Sequence, residues 1–291
     1  MVGTKGRTTT MNVQTADYSN RNAKAGGLSA NDINALRRET WQGGQVGRVE
    51  ADTLLLANDD LRGSSPEWSE FFVDALYEHV VNSTEPRGCV DAAGARWLWS
   101  RISDKGSVTG REELELVTRI CQKVDVLADV LRENAIGVIE KAVTEGEGPT
   151  RAGKLIGREI PVGCISNEEL GYLRRMVFRT DRDYPRAVGR IEAEALFRIK
   201  DATRDGDNAK DWPNVFVQGV GTYLKQFGGT EPLTSDQETE LMSFMTSDAA
   251  NLGGFLQRMF EAQSTGSVRD YLKEATDLDP LERALLEYLA A

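Results

Sequence analysis

The stretch Val-Gly-Arg-Val-Glu-Ala-Asp at residues 46–52 occurs again as Val-Gly-Arg-Ile-Glu-Ala-Glu at residues 188–194. Five of the seven positions are identical, and the other two are conservative exchanges. Apolar residues follow both copies at matching positions, with Leu54 aligned to Leu196. Each copy predicts the opening of a helix, and the pair predicts a fold built from a repeated unit.

The match continues downstream of both copies, after a two-residue insertion in the second. The aligned segments are Glu67-Trp68 with Asp211-Trp212, Phe72-Val73 with Phe216-Val217 and, after two more inserted residues, Thr84-Glu85-Pro86 with Thr230-Glu231-Pro232. A unit of roughly 70 residues is therefore present at about 29–101 and again at about 166–246. We predict an all-α fold with two pseudo-symmetric helical lobes that arose by internal duplication.

The composition predicts the boundaries of these lobes. Residues 1–27 are polar and end in two glycines, so we expect a disordered N-terminal tail. Helical patterns fill residues 28–147, the first lobe, and residues 166–291, the second lobe. Residues 148–165 are rich in glycine and proline, which predicts a linker. Strand signals are thin, and only residues 154–165 have room for a short extended piece.

The chain is acidic, with a formal net charge of −11. Residues 1–27 contribute +3, so the remainder carries −14. An acidic body repels phosphate backbones, which argues against nucleic-acid binding by the folded part. The sequence has no apolar run near the roughly 20 residues that span a bilayer, no visible secretory signal and no cysteine pattern typical of disulfides. We therefore expect a cytoplasmic protein that does not bind membranes.

A second spacing recurs in both lobes: a glycine, an apolar residue two positions later and an acidic residue six positions later. It is present at Gly44-Val46-Glu50, Gly106-Val108-Glu112 and Gly163-Ile165-Glu169. These are the spacings of positions 6, 8 and 12 in a calcium-binding EF-hand loop. In this respect the chain resembles EF-hand-like helix pairs and the TerB-like tellurite-resistance family, which implies a helical fold. The calcium-ligand positions before Gly163 hold Arg158, Ile160 and Val162, so this copy lacks the ligands.

An acidic loop after the second repeat fits the calcium pattern better. In EF-hand numbering, positions 1, 3, 5 and 7 hold Asp201, Thr203, Asp205 and Asp207, with Gly206 at position 6. Position 12 requires a bidentate glutamate but holds Trp212, so Asp211 would have to replace it. The candidate metal ligands are Asp201, Asp205, Asp207 and Asp211, with calcium as the candidate ion. The alternative is a solvated loop between two helices.

His79 is the only histidine in the chain. It falls on the apolar face of the helix that starts near Pro66, and the repeat places Tyr223 at the matching position. Both residues are rings with a polar tip. We therefore predict a buried packing position with one hydrogen bond rather than a catalytic or metal-binding role.

Four residues are candidate contacts with a protein partner. Trp97 and Trp99 are two positions apart, so they lie on different sides of a helix and one of them is expected to be exposed. Arg48 and Arg190 occupy equivalent places at the starts of the repeated helices. They are expected to be structural or to make pseudo-symmetric contacts.

No phosphate-binding loop, dinucleotide fingerprint or nucleophile-elbow motif is present, and no catalytic residues are assigned. The sequence favours a non-enzymatic interaction or regulatory protein, adaptor-like, in which a cleft between two acidic lobes receives a protein partner. Two alternatives stay open. The first is an EF-hand-like protein that binds calcium or magnesium, and the second is an enzyme with an unrecognised carboxylate site.

Overall fold

The computed structural model describes residues 28–41, 43–63, 65–104, 106–108, 110–151, 160–178, 188–225 and 278–290, together with the single positions 235, 239 and 254. These residues are mainly helical, and the all-α prediction is confirmed. The predicted tail, residues 1–27, lies outside the described part of the chain. The chain divides into two compact units between Val138 and Ile139.

The first unit is organised around one central helix, α3. Its described helices are α1 Ala30–Thr40, α2 Arg48–Leu61, α3 Pro66–Tyr77, a π-helical turn Glu78–Asn82, α4 Ala92–Ile102, α5 Arg111–Lys123 and α6 Asp129–Glu145, within which the division between units falls. Helix α3 packs against α1, α2 and α5. Its Trp68, Phe71 and Phe72 are fully buried, and the Trp68 ring centroid lies 5.6 Å from that of Phe71 and 6.3 Å from that of Phe72.

The second unit also has a central helix, α9. Its described helices are α7 Asn167–Val177, α8 Arg190–Ala202, α9 Trp212–Lys225 and α10 Pro280–Ala290. Helix α9 packs against α7, α8 and α10. Its Trp212 and Phe216 rings are buried with centroids 6.0 Å apart, and Phe197 of α8 packs edge-on against Phe216 at 5.2 Å. In both units, an aligned tryptophan near the start of the central helix anchors the core.

Serine side chains cap the starts of three of these helices. Backbone amides of Asp32, Trp68 and Glu169 donate to Ser29 Oγ at 3.3 Å, Ser65 Oγ at 3.1 Å and Ser166 Oγ at 3.2 Å. In α1 and α7 the acidic residue returns the bond by accepting from the serine amide. Each cap satisfies amides that a helix start leaves without partners, which stabilises the helix by about 0.5–2 kcal/mol.

Among the described residues, strands occur only as two short ladders, both in the first unit. Cys89–Val90 (β1) pairs in parallel with Val126–Leu127 (β4), and Ser103–Asp104 (β2) pairs antiparallel with Ser107–Val108 (β3). The expected extended piece within residues 154–165 is not a strand where it is described, at 160–165, and its remainder lies outside the described residues. Ladders of two residues are too short for the alternation by which sequence predicts a strand.

The predicted linker, residues 148–165, is described at both ends, whereas residues 152–159 fall outside the described part of the chain. Helix α6 precedes this segment, and α7 follows it. No helix among the described residues combines the length and apolarity needed to cross a bilayer.

Candidate functional site

A cavity of about 250 Å³ lies in the first unit, between the start of α2, the π-helical turn, β1 and the start of α4. Its wall combines the only histidine with an arginine, a tryptophan, a half-buried cysteine and two carboxylates. These residues are His79, Arg48, Trp97, Cys89, Glu85 and Asp91. We call it the His79 cavity.

The His79 ring is buried and held in one orientation. His79 is 5% exposed, and its Nδ1 donates a hydrogen bond to the Val46 carbonyl oxygen at 2.9 Å. Because a carbonyl oxygen only accepts, Nδ1 carries the proton and Nε2 keeps a lone pair in the neutral ring. The ring also packs edge-on against Trp97, with centroids 5.2 Å apart. The sequence-based prediction of a buried ring with one hydrogen bond is confirmed, but the ring also lines a cavity.

The surroundings of His79 favour its neutral form. Burial lowers the pKa of His79 below its ordinary value, and the Arg48 guanidinium lowers it further. The hydrogen bond to Val46 and the carboxylates of Asp52 and Glu50 oppose this shift without cancelling it. At pH 7 the ring is therefore uncharged and offers Nε2 as a hydrogen-bond acceptor.

Arg48 and Trp97 form one edge of the cavity. The Arg48 guanidinium carbon lies 4.1 Å from the Trp97 ring centroid, a cation–π contact. Arg48 Nε donates to Asp52 at 3.2 Å, and Asp52 also accepts from Arg101 at 2.9 Å. About half of the Arg48 side chain, 55%, still faces solvent. The structure thus brings together two of the four predicted contact residues.

The other two predicted contact residues lie elsewhere. Trp99 is half-buried on α4 and does not line the His79 cavity. Since Trp97 is also half-buried, neither tryptophan is the fully exposed one that the spacing predicts. Arg190 begins α8 and donates to Glu194 at 2.7 Å, the same pairing across one helical turn that Arg48 makes with Asp52.

The backbone departs from α-helical geometry where it carries His79. The turn Glu78–Asn82 is π-helical, whereas the aligned helix α9 is regular as far as Lys225 and includes the buried Tyr223. π-Helical turns are rare and recur at functional sites, because the extra residue redirects the side chains around it. This local difference sets His79 apart from its counterpart in the second unit.

The four aspartates predicted as metal ligands are Asp201, Asp205, Asp207 and Asp211. Asp201 instead pairs with the Lys200 ammonium at 2.9 Å, and Asp205 and Asp207 are exposed. Asp211 accepts from Asn214 at 2.7 Å and pairs with Arg174, contacts that lower the pKa of Asp211. Among the residues that the structure describes, no group of three or more His, Cys, Asp or Glu side chains is placed to hold a metal ion.

The loop that contains these aspartates is held by a neighbouring segment. A Cβ atom at Gly206 would lie 2.2 Å from the Gly163 carbonyl oxygen, so only glycine fits there. Asn208 Oδ1 accepts from the Ile165 amide at 3.0 Å, and Asn208 Nδ2 donates to the Thr203 carbonyl at 2.7 Å. Gly206, which matches position 6 of a calcium loop, and its neighbour Asn208 thus form a loop–loop contact.

Sequence reasoning missed a buried ion cluster in the second unit. The Lys200 side chain is 2% exposed, and its Nζ donates to Asp279 at 2.6 Å and Glu282 at 2.9 Å, in addition to the pair with Asp201. Burial alone would lower the pKa of Lys200, but the three carboxylates outweigh it and raise that pKa. Burial would likewise raise the pKa of Asp279, yet the ammonium holds it below its ordinary value. One signal was available, since Lys200 continues the buried face of α8 four residues after Leu196.

A second cavity, of about 350 Å³, borders this cluster. Arg204, Lys210 and Trp212 line it, together with Lys200 and Asp279. On its wall, the buried Lys200 and the half-buried Asp279 are bound to each other at 2.6 Å. They hold α8 against the start of α10, which is a structural use of both charges.

No protein-family model, curated protein or solved structure matches this chain. The likeness to EF-hand-like and TerB-like helical proteins therefore stays a prediction. Within the described part of the chain, the His79 cavity presents the side chains of Arg48, His79 and Trp97 to a ligand.

Proposed function

We propose that this chain is a non-enzymatic interaction or regulatory protein that binds a protein partner at the His79 cavity. The observation that carries the proposal is the meeting of Arg48, Trp97 and the neutral His79 at one concave site. Arginine and tryptophan are enriched among the residues that dominate binding energy in protein interfaces. A cavity beside them can receive one side chain of a partner.

The carboxylates of the cavity support binding rather than acid–base catalysis. Asp91 caps α4 by accepting from the Gly94 amide at 2.7 Å, and Glu85 pairs with Arg87 at 3.2 Å. Both carboxylates therefore have local structural partners. A general acid or base must exchange a proton with its substrate, whereas these two carboxylates are engaged by a helix amide and by an arginine.

Charge and cysteine chemistry suggest the kind of partner and its compartment. The net charge of −11 favours a protein partner over nucleic acid, whose phosphates it would repel. Cys89, Cys121 and Cys164 are all free thiols, a state typical of reducing compartments. We accordingly propose a cytoplasmic setting.

Calcium or magnesium binding, the second sequence-based hypothesis, draws less support. Two of its four candidate ligands, Asp201 and Asp211, are already bound to cationic side chains. An ion would have to displace the Lys200 ammonium and the Arg174 guanidinium, which would leave buried Lys200 with fewer partners.

The experiment is affinity capture from native extract with four immobilised proteins: the full chain, Arg48→Ala, Trp97→Ala and Arg190→Ala. We expect a stoichiometric partner on the unmodified chain and a loss of at least about tenfold with Arg48→Ala and Trp97→Ala, the scale of an interface hot spot. Arg190→Ala is the matched control, because Arg190 makes the same ion pair on the aligned helix of the second unit.

Each other outcome contradicts part of the proposal. If all four proteins retain the same partner equally, the binding surface is not the His79 cavity. If Arg190→Ala alone loses the partner, the surface belongs to the second unit. If the chain retains no partner and instead turns over a substrate, the protein is an enzyme.

A further inference from the structure

The orientation of His79 decides what the His79 cavity is able to bind. Because the Val46 carbonyl fixes the proton on Nδ1, the second ring nitrogen, Nε2, is an acceptor in the neutral ring. A ligand atom that is itself only an acceptor would place its lone pair against the Nε2 lone pair, which is unfavourable. The ring orientation therefore selects a ligand group that donates a hydrogen bond.

The charged groups around the ring come from every element that encloses it. Helix α2 contributes Arg48, Glu50 and Asp52, the loop before β1 contributes Glu85, and the start of α4 contributes Asp91. Arg48 is the only cation of these five, and its charge is directed at Asp52 and the Trp97 face. Arg101 pairs with Asp52 and Arg87 with Glu85, so four carboxylates stand against three arginines and the surroundings of the cavity keep a net negative charge. A cationic donor is attracted to such a site and an anion is repelled.

Resting on the proposed function, we propose that the occupant of the His79 cavity is the ammonium group of a lysine side chain on a basic segment of the partner. The ammonium donates to His79 Nε2, and the carboxylates of Glu85 and Asp91 complement its charge. Its aliphatic stem lies against the apolar wall that Val80, Val90 and Pro86 provide.

This mode of binding is linked to protonation of His79. A proton on Nε2 would turn the acceptor into a donor and place a positive charge against the ammonium. Binding therefore requires the neutral ring, and the partner is released on acidification. An anionic occupant would show the opposite dependence, because it would bind the protonated ring and Arg48 together.

The test adds small probe molecules to the full chain and monitors their binding by NMR. The chain has one histidine, so its ring protons give one unambiguous set of signals. The three probes are butylammonium chloride, tetramethylammonium chloride and sodium butyrate. Tetramethylammonium has the same charge as butylammonium but no N–H donor. Above the titration midpoint of His79, we expect butylammonium to shift the ring signals saturably and the other two probes to leave them in place.

The pH dependence supplies a second, independent readout. One pH unit below the midpoint of the ring itself, about one tenth of the molecules are neutral, so the apparent affinity for butylammonium is expected to fall about tenfold. Saturating butylammonium should also lower the midpoint. His79→Tyr removes the ring signals, so its affinity for butylammonium is measured by calorimetry and should be lost; the buried Tyr223 in the second unit shows that such a ring fits this helix position.

The inference is overturned if butyrate binds in place of butylammonium, if affinity rises on acidification, or if none of the three probes shifts the ring signals. Equal shifts with tetramethylammonium would also overturn it, since they would reflect charge without a hydrogen bond. These results are separable from the capture experiment. Loss of a protein partner with Arg48→Ala, combined with binding of butyrate, would retain the interaction function and replace only the occupant.

Discussion

The two units place different polar residues at the same buried position. In the first unit this residue is Asn58, near the end of α2, which is 1% exposed. Its Oδ1 accepts from Trp68 Nε1 at 2.9 Å, and its Nδ2 donates to Glu113 at 2.9 Å. A neutral amide thus connects the central helix α3 with the first turn of α5.

In the second unit the aligned residue is Lys200, and the connection is ionic. Its ammonium binds Glu282, which is the third residue of α10 as Glu113 is the third residue of α5. An ammonium donates but does not accept, so it cannot replace the Asn58 oxygen. Correspondingly, the buried Trp212 Nε1 has no hydrogen-bond partner within the described part of the chain. Both units therefore have a glutamate at the third position of the facing helix. The group that binds it is an amide, Asn58, in the first unit and an ammonium, Lys200, in the second.

The largest expected effect is at Lys200. Lys200→Met removes the ammonium from buried Glu282 and from half-buried Asp201 and Asp279, which should destabilise the second unit by about 3–5 kcal/mol. Denaturant titration measures the change, with Trp212 fluorescence as the reporter, because Trp212 is the only tryptophan in that unit. The matched variant Asn58→Leu should cost about 1–3 kcal/mol in the first unit, since it leaves the Trp68 indole N–H unsatisfied, while Glu113 keeps its ion pair with Arg62.

The pH dependence of stability tests whether charge is the cause of this loss. The pKa of Asp279 is lowered by folding, so its contribution to stability is present above about pH 4 and is lost as pH falls through the lowered pKa. The pKa of Lys200 is raised, so its contribution is present below about pH 10 and is lost only as pH rises through the raised pKa. In Lys200→Met the carboxylates take up protons more readily, and the deficit should shrink in acid. A deficit independent of pH would mean that packing, not charge, accounts for the loss.

The next effect concerns the two aligned tryptophans. Trp68→Phe and Trp212→Phe remove similar aromatic area, but only Trp68→Phe breaks a hydrogen bond and leaves Asn58 Oδ1 buried without its donor. Trp68→Phe should therefore be the more destabilising of the two by about 1–3 kcal/mol. Thermal unfolding monitored by circular dichroism compares the stabilities of the two variants, and it does not depend on tryptophan emission. Equal losses would show that the Trp212 indole N–H has found an acceptor in solution.

A smaller effect is expected from His79, which has no titrating counterpart near pH 6 in the second unit. Folding lowers the pKa of His79, so the unfolded chain takes up a proton first as pH falls through 6.5. The contribution of the neutral ring is complete above pH 6.5 and declines below it until the lowered pKa is reached. The unfolding midpoint of the first unit should fall over that range, and His79→Tyr should remove the decline. A midpoint that rises on acidification would contradict the buried, neutral ring.

The parts of the fold that sequence predicted are those with local causes. Ser29, Ser65 and Ser166 begin helices through contacts three residues away, and the aromatic faces of α3 and α9 follow helical spacing. The internal repeat also predicted which residues of the two units correspond. The duplication itself stays a prediction, and α3 and α9, which carry the aligned tryptophans, each pack against three neighbouring helices.

The parts that escaped prediction depend on contacts between distant segments. Lys200 meets Glu282 across 82 residues, and His79 meets Val46 across 33. Helical periodicity places a side chain on a face, but it does not say which polar group on another helix will face it. For the same reason the sequence offered Arg48 and Trp97 as separate candidates, although they form one edge of a cavity. The predicted metal ligands show the same limit, since their proximity in sequence does not reveal that Asp201 faces Lys200 and Asp211 faces Arg174.

The smallest predicted difference lies in the capping boxes of α1 and α7. Ser29 caps α1 at an exposed site with Asp32, whereas Ser166 caps α7 with Glu169, which is 0% exposed and also binds Arg151 at 2.5 Å. Ser29→Ala should cost about 0.5 kcal/mol and Ser166→Ala about 1–2 kcal/mol, because only the second leaves a buried carboxylate with one donor fewer. Denaturant midpoints of the two variants provide the comparison. If the two losses are equal, burial adds nothing to the cap, and Thr150, Arg151 and the Ser166 amide satisfy the carboxylate without the serine hydroxyl.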